Sequence, residues 1–111
     1  MRKTRLYALS LCTALAMGAP AIVSAAETHT LDGAQLYMTK ACLSCHGPDG
    51  RSPIMPIYPK VAGQNAGYLA NQLRDIKSGA RNNGQAVVMM GIMAGVSEPE
   101  ILAIAEWLST Q

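Results

Sequence analysis

Cys42-Leu43-Ser44-Cys45-His46 constrains this chain more than any other stretch, because two thiols three positions apart followed directly by an imidazole form a C-x-x-C-H motif. Such thiols can add to the two vinyl groups of one porphyrin, leaving the histidine beneath the iron, so the motif is an attachment signature for a c-type haem. Three fixed positions would match by accident in roughly one chain in a hundred of this length, which makes the signal strong without being decisive. A thioredoxin-like dithiol would need a βαβ context, and no strand pattern of any length is present. A zinc site would need four ligands in two separated pairs, whereas the chain beyond its leader offers only Cys42, Cys45, His46 and His29. A disulfide between the two cysteines is the remaining alternative.

The start of the chain points the same way. Arg2, Lys3 and Arg5 form a positive n-region, Leu6 to Met17 an apolar h-region, and Val23-Ser24-Ala25 a small-residue cleavage site, so residues 1–25 read as a secretory signal. Gly18 and Pro20 interrupt a run already short for a bilayer span, which argues against stable membrane insertion. Cys12 falls in the h-region behind Leu11, not a small residue, which argues against lipidation there. Removal of residues 1–25 leaves 86 residues, one domain over 26–111 without an internal repeat. The net charge of +2 then becomes −1, with six basic residues against seven acidic ones, and no basic patch remains for nucleic acid. A domain this small needs a staple, and covalent haem would supply one; the absence of Phe suits a core built on a porphyrin.

Helical signals fall around the motif. Leu31 to Ala41 carries Leu31, Ala34, Leu36 and Met38 with Tyr37, and Gly33 marks a close backbone approach. Residues 47–63 contain Pro48, Pro53, Pro56 and Pro59 and must be loop. Tyr68 to Lys77 has Leu69, Leu73 and Ile76 on one face, its charges Arg74, Asp75 and Lys77 on a solvated one, and Gly79 at its end. Residues 80–96 read as a loop, rich in Gly and Asn and then in Met. Ser97 and Glu100 form a capping box, Pro99 sits in the first turn, and Ile101, Ile104, Ala105 and Leu108 make an apolar stripe. The expected fold is all-α.

Three main helices, a Pro-rich loop after the motif and a Met-rich loop before the last helix resemble a class I cytochrome c. The chain is most similar to the small soluble bacterial mono-haem type and to either half of the tandem di-haem ones. Cys42 to Gly47, Tyr58-Pro59-Lys60-Val61-Ala62-Gly63-Gln64, Tyr68 to Gly79 and Met89 to Leu108 carry the resemblance. One departure is that Tyr37 stands five residues before Cys42, where the family has its aromatic four before, so Tyr37 and Met38 both qualify to meet Trp107.

The resemblance implies haem c held by Cys42 and Cys45, with His46 as one axial ligand. For the other, Met55, Met89, Met90 and Met93 are candidates by residue type, since His/Met ligation raises the potential and closes the iron; the alternative for each is a core gap-filler. The family places its ligand methionine eight residues before the Ser that caps the last helix, which selects Met89 with Met90 and Met93 as runners-up packing around the haem. A proline-loop carbonyl from Pro53 or Pro56 is expected to orient His46. Tyr58, Arg81 and Trp107 have polar tips able to bond haem propionates, against ordinary packing for Tyr58 and Trp107 and a solvated charge for Arg81. His29 reads as a surface histidine.

The implied role is a periplasmic electron carrier, not an enzyme, whose partners are redox proteins of the respiratory chain: a membrane cytochrome complex, a terminal oxidase or a periplasmic dehydrogenase. A haem subunit of a larger oxidoreductase is the alternative. An open-site haem enzyme or gas sensor fits the Met-rich segment least well.

Overall fold

The computed structural model describes residues 18–19 and 30–111; the expectations for the leader, Cys12 and His29 lie outside the described residues. Five helices and no strand occur among the described residues: α1 Gly33–Thr39, α2 Leu43–His46, α3 Ala66–Ser78, α4 Ala86–Met93 and α5 Glu98–Ser109. None is long and apolar enough to cross a membrane.

Helix α1 begins where Asp32 accepts a hydrogen bond from the Gln35 amide at 3.1 Å, freeing the backbone from one unsatisfied donor. It ends in a Schellman turn, with the Ala41 amide on the Met38 carbonyl and the Cys42 amide on that of Tyr37. Ala41 takes the left-handed position that glycine usually fills, at φ 63°. This turn absorbs the extra residue between Tyr37 and Cys42. Tyr37, 1% exposed, is the residue that meets Trp107, their ring centroids 4.9 Å apart, while Met38 is half-exposed. Helices α1 and α5 pack closely at Gly33, where a Cβ would lie 2.2 Å from the Ala103 carbonyl oxygen.

Helix α3 starts two residues earlier than its apolar spacing suggests, because Asn65 caps it through the Tyr68 amide at 3.0 Å. Helix α5 has the expected capping box, with the Ser97 amide donating to Glu100 Oε2 at 2.7 Å. Leu69, Ala70 and Ile76 of α3 join Ile101, Ile104, Ala105 and Leu108 of α5 in the core.

Two short helices depart from the three expected. Cys42 to His46 closes one turn, α2, on the motif itself. Residues 86–93, expected as loop, are helical. Every position in that run except Gly91 is apolar, so no stripe separates an inner from an outer face. Packing on α3 makes the distinction instead, burying Ala86 and Met93 while Val87 and Val88 face outward.

Candidate haem site

Helix α2 delivers the motif as a unit. Cys42 and Cys45 are half-buried and unpaired, one turn apart, and His46 is buried at the helix end. Burial pushes the Cys42 thiol above its ordinary pKa, the opposite of what activates a redox dithiol. Gly47 turns the chain away at φ 80°, where a Cβ would lie 2.1 Å from the Ser52 carbonyl oxygen. Its own carbonyl accepts from the buried Tyr37 hydroxyl at 2.7 Å. Desolvation raises the pKa of that hydroxyl, so it stays protonated and donates.

His46 Nδ1 donates to the Pro59 carbonyl at 2.8 Å. The acceptor is therefore neither Pro53 nor Pro56. The reason is the loop's path: the Gly50 carbonyl accepts from the Val61 and Ala62 amides at 2.8 and 3.1 Å, drawing residues 59–62 back onto the motif. Ile54 instead donates to the Cys45 carbonyl, which leaves Pro53 and Pro56 outside the ring's reach. With Nδ1 occupied, Nε2 is the nitrogen free to bind a metal.

A cleft of ≈ 710 Å³ opens between the motif, the proline loop and α4. Cys45, His46, Tyr58, Arg81 and Met89 line it together with apolar walls from Ile57, Ile76, Ala86, Val88 and Ile92. A smaller lobe of ≈ 210 Å³ shares His46, Pro59, Ile76, Arg81 and Met89 with it. Met89 is thus the methionine that shares the cleft with His46, and both line both lobes. Met93 is 2% exposed in the core, Met90 packs near Gly79, and Met55 is half-exposed; none of the three lines either lobe. Nor do Pro53 and Trp107, and Trp107 packs on Tyr37 instead. Arg81 is not a free loop charge, since it donates to Gln72 Oε1 at 2.8 Å beside the cleft.

The sequence reading missed Gln64, Tyr68 and Gln72, which line the smaller lobe. Tyr68 and Gln72 are four residues apart and flank Leu69, Leu73 and Ile76, so the helical period of α3 already placed them on one face. Arg74, Asp75 and Lys77 lie on the solvated face of α3 as expected, where Arg74 also binds Glu98 at 2.5 Å and Lys77 donates to the Val96 carbonyl.

Two thiols on one turn, a buried imidazole with a fixed ring, a thioether within the same cleft and walls of aliphatic side chains fit a flat apolar macrocycle with a metal at its centre. Comparison with known proteins agrees. The family model for cytochrome c matches residues 31–111. Cytochrome c4 of Azotobacter vinelandii is 38% identical over 90 residues, covering 80% of this chain and 43% of that protein. Cytochrome c-553 of Nitratidesulfovibrio vulgaris is 35% identical over 107 residues, covering 96% and 97%. The solved structure of reduced cytochrome c4 from Pseudomonas stutzeri superposes with a TM-score of 0.60 at 32% identity, over 69% of this chain and 45% of that one. The chain therefore spans less than half of the cytochromes c4 and nearly all of cytochrome c-553. Motif, helical fold and relatives converge: the chain belongs to the cytochrome c family of electron carriers, with haem c as its covalently held, iron-containing cofactor.

Proposed function

We propose that this chain is a periplasmic mono-haem electron carrier with His46 and Met89 as its axial ligands. The observation that carries the reading is the meeting of His46 and Met89 in one apolar cleft beside the Cys42–Cys45 turn. When bound, haem c supplies a one-electron ferric/ferrous couple. Cys42 and Cys45 would hold it through thioethers, their thiols adding to its vinyl groups, so that it would not dissociate between partners. His46 offers Nε2 while the Pro59 carbonyl fixes its ring, and Met89 offers a soft thioether that favours the ferrous state. The buried Ile76 and Ala86 exclude water from their side of the cleft, which keeps reorganisation small as charge changes.

Ile57, Val88 and Ile92 line the cleft yet are 57%, 61% and 41% exposed. They give a redox partner a small apolar contact at the rim, the kind of surface that suits brief encounters. The formal charge of −1 beyond the leader provides little steering. Export rests on the n-region, h-region and cleavage pattern of residues 1–25.

The test is the visible spectrum of the protein expressed with haem-attachment machinery. The wild type should show a low-spin ferrous spectrum indifferent to carbon monoxide, and a weak far-red ferric band from sulfur–iron ligation. Met89→Ala should abolish that band and admit carbon monoxide while the haem stays attached. Retention of the band in Met89→Ala would reassign the ligand to Met90 or Met93.

A further inference from the structure

Helix α4 has little of its own to hold it. It is eight residues long, contains Gly91, lacks a side-chain cap at Gln85 and buries only Ala86 and Met93. Isolated helices of that length are marginal in water, so its stability must come from outside. Two side chains reach its far end from different elements. Lys40, the residue closing α1, places Nζ 2.7 Å from the Gly95 carbonyl. Lys77, in the last turn of α3, donates to the Val96 carbonyl. These are successive carbonyls in the turn that ends α4, whose amides bond back to Ile92 and Met93. Cations at a helix C-terminus also oppose the negative end of its dipole.

We propose that Lys40 and Lys77 are positioning residues for Met89: together they clamp the turn at 95–96 and so fix the helix that carries the distal thioether. The proposal rests on Met89 as ligand. Lys40 ties the clamp to the frame through Glu100 at 3.1 Å, the same carboxylate that receives the Ser97 amide. The Lys40 side chain is 26% exposed, and its bond to the Gly95 carbonyl, though at the surface, is charge-assisted. Arg74 and Glu98 are the other charges at this corner; Glu98 also feels the charge of Lys77, but the Arg74–Glu98 pair joins α3 to the start of α5 and makes no bond to the turn.

That difference supplies the control. Lys40→Met and Lys77→Met keep the aliphatic stems and remove the donors; Arg74→Ala removes a neighbouring ion pair that does not touch the turn. The readout is the rate at which added imidazole displaces the thioether from the ferric holoprotein, followed by loss of the far-red band. Each lysine variant should speed displacement roughly tenfold, the scale of one charge-assisted hydrogen bond. Lys→Arg should restore most of the wild-type rate, and Arg74→Ala should leave it unchanged. Displacement at the wild-type rate in both lysine variants would overturn the clamp, even if their melting temperatures fall. A wild type without the far-red band would overturn the Met89 assignment itself, and the two failures are thereby distinguished. Should a Met variant fail to take up haem, Lys40→Gln and Lys77→Gln decide the question by the same readout.

Discussion

Ala41 shows how one residue reconciles a departure from a family pattern with a conserved task for its neighbours. The extra position between Tyr37 and Cys42 would rotate the motif relative to α1 if the helix simply continued. A left-handed residue at C′ ends the helix instead, and the Cys42 amide closes the Schellman turn on Tyr37. An L-residue in that conformation is strained by about 1–2 kcal/mol; glycine removes the strain, and its greater unfolded-state freedom offsets part of that gain. Ala41→Gly should therefore stabilise the holoprotein by about 0.5–1 kcal/mol, measurable by guanidinium titration. A loss of stability would instead mean that the Ala41 methyl, which lines the cleft, contributes more by packing than the strain costs.

Helix by helix, what was legible in the chain follows from where the stabilising physics is local. The Ser97–Glu100 box announces α5 within a few residues, and the stripe from Ile101 to Leu108 shows which of its faces is buried, whereas the caps at Asp32 and Asn65 emerge only in the structure. Helix α4 escaped because its hold is non-local: α3 on one side and two lysines at its end. The same holds within the site. Cys42, Cys45 and His46 are contiguous and were legible, whereas Pro59 was not, because its carbonyl reaches His46 only through the amide bonds of Val61 and Ala62 to Gly50. The start of α5 makes a pH prediction. Hydrogen bonding from the Ser97 amide, then from Lys40, holds the Glu100 carboxyl below its usual pKa, and Arg74 does so for Glu98. A depressed native pKa contributes stability above the unfolded value and loses it as pH falls through the native one. Acidification below the ordinary carboxylate range should thus weaken the α5 corner. Glu100→Gln should flatten that part of the stability–pH curve, and an unchanged curve would show that the contacts carry no linkage.

At the scale of the whole molecule, the cofactor is also a structural element. The packed core runs through α1, α3 and α5 and takes Ala86 and Met93 from α4, whose packing on α3 leaves an apolar cleft of ≈ 710 Å³ beside it. Water filling such a cleft would leave Ile76, Ala86 and Val88 hydrated, and a domain this small has little stability in reserve. The two halves of the fold should therefore differ in what they need. The α1–α5 corner is locked by the Gly33 approach and by Tyr37 packed at a tilt on Trp107, none of which lines the cleft; α2, α4 and the proline loop gain their order from what the cleft holds. Replacing Cys42 and Cys45 with Ala should abolish covalent haem and cooperative thermal unfolding together, with helical circular dichroism falling well below that of the holoprotein. Trp107, the chain's single tryptophan, reports on the corner. If its near-ultraviolet signal survives in the double variant while helical signal is lost, α1 and α5 dock without haem and the remainder folds around it. Full retention of cooperative unfolding would refute the structural role, leaving the haem a passenger in a scaffold that closes unaided.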